Sequence, residues 1–184
     1  MNGGRAVFLR HTAQLAEGEM GRVRELLDAV FEGDFSDEDF EHALGGMHAL
    51  VYEGGELLAH GSVVQRRVLH AGRALRVGYV EAVAVRGDRR RCGLGGVVME
   101  GVEGVVARAY ELGALSASAA GARLYAGRGW EVWGGEIGVL GPRGPERLAE
   151  EEGSTYVWGP PGGGVLLDPA AGPLRFDWRN GDVL

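Results

Sequence analysis

The feature that most constrains this chain is a strand, a loop and a helix in immediate succession. Residues 75–85 form an apolar run that reads as a central strand buried on both faces. Residues 86–96 follow as a loop of glycine and arginine, and Val97, Val98, Val102, Val105, Val106 and Tyr110 then trace one face of a long helix. Within the loop, Arg90-Arg91-Cys92-Gly93-Leu94-Gly95 satisfies the pattern R/Q-x-x-G-x-G/A. Glycines let the backbone approach an anion closely, and the start of the next helix adds about half a positive charge. With Arg86, Arg89, Arg90 and Arg91 alongside, this turn suits a diphosphate. Two other nucleotide loops fit worse, since G-x-x-x-x-G-K-[ST] and the dinucleotide spacing are both absent.

The flanking segments alternate in type. Residues 6–11 read as an edge strand, and Met20, Val23, Leu27, Val30 and Phe31 recur at helical spacing over residues 18–32. Ser36 followed by Asp39 resembles a capping pattern for a short helix through Leu44. Strands are expected over 47–52 and 57–69, joined by a hairpin at Glu53-Gly54-Gly55-Glu56, and a second hairpin turns at residues 70–73. Residues 114–118 read as a short strand, 119–128 as a helix, 130–140 and 155–158 as strands, and 159–164 as an irregular Gly/Pro loop. The fold class is therefore α+β (mixed α/β). At 184 residues, one domain is expected over 1–184, with a core at about 5–140 and a C-terminal segment, 141–184, completing the sheet.

Composition narrows the partners. A net charge of −7 argues against a general nucleic-acid binder, which needs clustered cations, and favours a cationic partner. No apolar run approaches the roughly 18 residues of a membrane span, so no membrane partner is expected. Residues 1–10 lack the pattern of a secretory signal, and Cys92 is the sole cysteine, which excludes a disulfide framework and makes a reducing cytoplasm the expected location. His11, His42, His48, His60 and His70 show no metal-ligand spacing, so no metal is expected.

A second motif gives the loop its context. Ser118 to Trp130 reads SAAGARLYAGRGW, a helix ending in Leu124-Tyr125 and followed by Gly129-Trp130. In order and spacing the two motifs resemble those of the GNAT superfamily of acetyl-coenzyme A dependent N-acetyltransferases. That likeness implies a central, mixed, splayed β-sheet flanked by helices, with the pantetheine arm entering where two strands part. A narrower likeness rests on Gly33-Asp34-Phe35, on residues 44–50 (LGGMHAL), on Gly78-Tyr79-Val80-Glu81, on residues 112–116 (LGALS) and on residues 177–183 (DWRNGDV). These strings resemble the aminoglycoside 2′-N-acetyltransferases over nearly the whole chain. Leu184 departs from the aromatic such a tail would carry, and the 159–164 loop has no counterpart in the resemblance.

The resemblance implies a function and a set of roles. The activity would be transfer of acetyl from acetyl-CoA to the 2′-amine of an aminoglycoside, conferring resistance, by direct transfer in a ternary complex. A homodimer is implied as well. Acetyl transfer to an amine needs a base, a donor for the developing oxyanion and an acid for the thiolate. Glu81 is the candidate base, although a strand glutamate can also pair with an arginine such as Arg76. The N–H of Val83 resembles the oxyanion donor, and Tyr125, a phenol with a pKa near 10, is the candidate acid. Backbone at Val83, Ala84 and Val85 would bind the pantetheine, while Arg90, Arg91, Gly93, Leu94, Gly95, Gly96 and Ser118 would hold the rest of coenzyme A. For the polycationic acceptor the resemblance nominates Asp34, Asp39, Glu81, Ser116, Glu151, Trp178, Asp182 and Leu184. Cys92 has no neighbouring base in sequence, which argues against a covalent acetyl-cysteine. Alternatives are a GNAT enzyme for another small amine or peptide, and a non-catalytic drug- or acyl-CoA-binding module.

Overall fold

A computed structural model describes residues 6–162, 165 and 167–184. Residues 163 and 164 of the expected Gly/Pro loop lie outside the described residues. The chain divides into two compact units, Met1–Val64 with Val80–Val105, and Gln65–Tyr79 with Val106–Leu184.

In the first unit, β1 (Ala6–His11) pairs antiparallel with β2 (Met47–Glu53), and β2 pairs antiparallel with the first part of β3 (Glu56–His70). Gly54 and Gly55 take φ of 61° and 87° in the β2–β3 turn, the positive pair that a tight hairpin demands and that glycine adopts without a Cβ clash. Helix α1 (Glu17–Val30) covers one face of this sheet. Its Val23, Leu26 and Leu27 pack with Leu50, Leu57 and Ala84, where each fully buried aliphatic side chain contributes about 1.5–3 kcal/mol. The short helix α2 (Asp37–His42) begins with a complete capping box: Asp39 N–H donates to Ser36 Oγ at 3.1 Å and Ser36 N–H to Asp39 Oδ2 at 2.8 Å. On the other face lies α3 (Leu94–Ala109). It approaches so closely at Gly61 that a Cβ there would stand 2.6 Å from Val98 Cγ1, which is why β3 carries a glycine at that point.

The second unit takes up β3 from Gln65 and β4 (Arg73–Val85) as far as Tyr79, and its strands run in the order β6 (Glu131–Val132), β9 (Thr155–Trp158), β5 (Leu112–Ser116), β4, β3, β10 (Leu174–Asp177), β7 (Ile137–Gly141), β8 (Gly144–Arg147). The β4–β5 pair is parallel and its ladder ends at Tyr79 and Ala114, although β4 runs on to Val85 and β5 to Ser116. That early parting is the splay the resemblance implied. Helix α4 (Ala122–Ala126) is shorter than the expected 119–128. The reason is local: Ser118 turns the chain first, its carbonyl accepting Gly121 N–H at 3.0 Å and its hydroxyl the same N–H at 3.3 Å. The single strand expected at 130–140 is two strands. Gly134 and Gly135 break it, so that β6 pairs with β9 while β7 pairs with β8 and β10. Strands β8 and β10 were absent from the sequence reading.

Candidate active site

The loop between β4 and α3 sorts its arginines into two kinds. Arg86 donates to Asp88 at 2.7 Å and to Glu56 at 2.8 Å, and Arg89 pairs with Glu53. These two fasten the loop to the β2–β3 hairpin. Arg90 and Arg91 are exposed and have no carboxylate partner among the described residues. Arg91 has φ 61° and Gly93 φ 80°, a curled backbone that leads straight into the first turn of α3 at Leu94, Gly95 and Gly96. No atom lies within 4 Å of where a Gly93 Cβ would stand. A curled loop, two uncommitted guanidiniums and the orphan N–H groups of a 16-residue helix fit a polyanion such as the phosphates of coenzyme A. Cys92 is exposed, and its thiol donates to the Arg90 carbonyl at 3.5 Å with no base beside it.

Just before that loop, β4 is kinked. Ala82 takes φ 52°, a left-handed conformation that costs a non-glycine residue about 1–2 kcal/mol. It interrupts the strand between Glu81 and the stretch Val83, Ala84 and Val85. Glu81 is half-buried, and its carbonyl accepts from Ser62 Oγ at 3.5 Å. Arg76, the alternative partner for Glu81, donates its Nε–H to the Ala109 carbonyl at 2.8 Å, and its backbone N–H meets Glu111.

Sequence reasoning missed what lies behind the kink. His60 Nδ1 is 2.9 Å from the Ala82 carbonyl oxygen, His48 Nδ1 is 2.9 Å from His60 Nε2, and Thr12 Oγ1 is 2.8 Å from His48 Nε2. Register explains the meeting. Leu50 faces His60 and His48 faces Ser62 across β2 and β3, so the two histidines are diagonal neighbours on one face. Both are fully buried. Burial pushes His48 down to about 4, with a smaller push from His11, and pushes His60 down to about 3. A signal was present in the sequence: two histidines inside apolar strands, where an uncompensated ring nitrogen is costly.

The second unit carries the remaining candidates. Tyr125 is buried at the end of α4 among Trp130 and Tyr156, with ring centroids at 6.3 Å and 6.1 Å, and burial pushes its phenol up to about 12. Ser116 and Glu151 come together, Ser116 Oγ–H donating to Glu151 Oε2 at 2.8 Å, while Ser154 donates to the same oxygen at 3.1 Å. Ser118 is exposed. In the tail, Trp178 is 45% exposed, Asp182 is exposed and Leu184 is buried. Arg66, itself only 3% exposed, holds this tail: Nε–H donates to Asp177 Oδ1 at 2.8 Å, and the two terminal nitrogens donate to the carbonyls of Val183 and Asp177. The first unit holds Asp34, Asp39, Glu81, Val83–Val85 and the loop at residues 90–96. There Asp34 is exposed, and one oxygen of Asp39 is engaged in its capping box. Among the described residues no group of His, Cys, Asp and Glu is arranged to hold a metal, and no helix is long and apolar enough to cross a membrane.

Comparison with known proteins agrees with this geometry. Residues 11–133 match the acetyltransferase (GNAT) domain family. The chain is 49% identical over 177 residues, 95% of its length and 90% of the relative's, to the aminoglycoside 2′-N-acetyltransferase of Mycolicibacterium fortuitum. Among solved structures it resembles the GNAT family N-acetyltransferase YhbS of Escherichia coli in complex with CoA, with TM-score 0.62 and 16% identity over 96% of this chain and 92% of that one. A GNAT family acetyltransferase from Brucella melitensis in complex with acetyl-CoA gives TM-score 0.56 and 16% identity over 90% and 97%. A parallel ladder that parts after Tyr79, a GNAT family match over residues 11–133 and a relative this similar over nearly its whole length converge, and the chain belongs to the GNAT acetyltransferases, in the family of the aminoglycoside 2′-N-acetyltransferases.

Proposed function

We propose that this protein transfers acetyl from acetyl-CoA to the 2′-amine of aminoglycosides. The observation that carries the reading is the 49% identity, spread over 95% of the chain, with an enzyme of that activity. Bound acetyl-CoA supplies a thioester carbonyl open to attack by an amine. The residues of this chain supply the rest. Arg90, Arg91 and the N–H groups of Leu94, Gly95 and Gly96 receive the phosphates, Ser118 serves as a further polar contact for coenzyme A, and backbone at Val83, Ala84 and Val85 lines the pantetheine arm. Glu81 takes a proton from the acceptor's ammonium, directly or through water, which frees the nitrogen lone pair. The Val83 N–H is the donor for charge developing on the carbonyl oxygen. Tyr125 keeps its proton throughout the neutral range, because its phenol is pushed up to about 12; it gives that proton to the departing sulfur and is reprotonated, through water, by the second proton that the acylated nitrogen sheds.

Transfer is direct, with both reactants bound at once, since Cys92 has no base to make it a nucleophile. Acceptor ammoniums are attracted by carboxylates at Asp34, Asp39, Glu151 and Asp182, with Ser116 fixing Glu151 and with Trp178 and Leu184 offering apolar contact. The reading also carries a single catalytic domain over residues 1–184, a homodimer, which light scattering would test, and a cytoplasmic role in drug resistance. The deciding experiment is a thiol-release assay with acetyl-CoA, comparing tobramycin and gentamicin with kanamycin A and amikacin, whose 2′ position carries hydroxyl. Turnover of the first pair alone is expected. Equal turnover of all four would move the chemistry to another amine, and inactivity with all four would refute the acceptor class.

A further inference from the structure

We propose that Thr12, His48 and His60 are positioning residues that lock the peptide plane between Ala82 and Val83, and thereby aim the Val83 N–H. This inference rests on the role given to that N–H above and extends it to residues that touch no substrate. The argument starts from covalent geometry. The Ala82 C=O and the Val83 N–H belong to one planar peptide group, and every described peptide is trans, so the two bonds point in opposite directions. Whatever holds the carbonyl aims the N–H the other way. In a regular strand the ladder would hold both. Here Ala82 lies at φ 52°, and a side chain accepts the task, with His60 Nδ1 at 2.9 Å from the Ala82 oxygen.

The direction of every hydrogen bond in the relay is then determined. A carbonyl oxygen only accepts, so His60 carries its proton on Nδ1. Neutral His60 has a bare Nε2, so His48 donates to it from Nδ1. Neutral His48 has a bare Nε2 in turn, which accepts from the Thr12 hydroxyl, and Thr12 Oγ1 accepts Gly45 N–H at 2.9 Å. The Thr12 hydroxyl also lies 3.3 Å from the Gly46 carbonyl, but that oxygen already accepts Thr12 N–H at 3.0 Å, so the single hydroxyl proton goes to the nearer His48 Nε2. With both rings buried and neutral, no rotation of either ring preserves the chain. The relay ends in a carbonyl and so carries no proton to Glu81; its work is orientation. Because the peptide is planar and trans, the relay meets the plane from the side opposite to the N–H it aims.

The test uses isotope-labelled full-length protein. A long-range ¹H–¹⁵N histidine spectrum is expected to show His48 and His60 both protonated on Nδ1, and a native Nε2–H form of either ring would overturn the relay. Two substitutions at residue 60 separate orientation from packing. His60→Asn keeps an amide nitrogen where Nδ1 stands, whereas His60→Leu fills the space without a donor. The expected result is that His60→Leu lowers kcat about 100-fold with KM for both substrates nearly unchanged, and that His60→Asn stays within about tenfold of wild type. Equal losses in the two variants, or a loss confined to KM, would show a merely structural role. Thr12→Val replaces the leucine variant if the latter does not fold, and is expected to lower kcat several-fold at constant KM; unchanged kcat would count against the proposal. A further readout needs no acceptor: acetyl-CoA is expected to shift the Val83 amide resonance in wild type and His60→Asn, and to leave it in place in His60→Leu. Failure of the wild type to turn over any aminoglycoside would therefore refute the acceptor assignment alone, because the spectra still decide the relay.

Discussion

The buried histidine pair makes acid stability a quantitative prediction. In the unfolded chain each ring titrates near 6.5, whereas in the fold His48 is pushed down to about 4 and His60 to about 3. The sign follows from proton counting. Above pH 6.5 both rings are neutral in either state and contribute nothing to the pH dependence. Between about 6.5 and 4 the unfolded chain binds protons that the fold does not, so stability falls as pH falls. At pH 5 the solution lies about 1.5 units below the unfolded pKa while both folded rings are still neutral, which amounts to about 2 kcal/mol apiece and about 4 kcal/mol for the pair. Against a typical domain stability of about 5–15 kcal/mol, that is a large fraction.

The perturbation is His48→Asn, which removes one titrating ring while keeping a donor toward His60. Urea unfolding at pH 7, 6 and 5 gives ΔG at each pH. Wild type is expected to lose about 3 kcal/mol per pH unit below 6.5 from this pair, and the variant about half of that slope, whatever its stability at pH 7. Identical slopes for the two proteins would refute the reasoning. His11 approaches His48 and adds to the same downward shift, so His11→Asn is expected to soften the slope only slightly.

Three further outcomes follow from single contacts. Glu81→Gln is expected to lower kcat by about 100-fold to 10⁴-fold with acetyl-CoA binding intact, measured by steady-state kinetics beside calorimetric titration of the donor. Arg66→Met removes every donor that Arg66 offers to Asp177 and Val183, and is expected to destabilise by about 2–4 kcal/mol, with amide exchange accelerated over residues 177–184. Gly61→Ala would place a methyl 2.6 Å from Val98 and 3.3 Å from Val83 Cγ2; overpacking of about 1–3 kcal/mol is expected in thermal melts, together with a changed Val83 amide shift.

Much of this architecture is legible in the sequence because local signals coincide with tertiary ones. Gly54-Gly55 marks a hairpin, Ser36 and Asp39 form the capping box they spell, and the apolar run before Arg86 is the central strand. The curl of the loop at residues 90–96 is legible in part, through Gly93 at φ 80°, although Arg91 takes φ 61° without being a glycine. What escaped depends on partners distant in sequence. Arg66 meets Asp177 across 111 residues and nothing near either one announces the other. Strands β8 and β10 are four residues each and pair only through that late topology. His48 and His60 look unremarkable by metal-ligand spacing because they serve a carbonyl, and the kink at Ala82 has no glycine to betray it. The four loop arginines look alike in sequence, yet two are spent on Glu53, Glu56 and Asp88.

The uneven burial of the tryptophans gives the protein its own optical reporter. Trp130 and Trp133 are 2% and 4% exposed, Trp158 stacks on Trp130 at 5.9 Å, and Trp178 alone among them is 45% exposed. Trp130 and Trp133 are shielded from dissolved iodide and Trp158 is partly exposed, so Trp178 contributes most, though not all, of the quenchable emission. Iodide quenching therefore weights the emission toward the tail without any label, so that release of the Arg66 clamp changes the quenchable fraction.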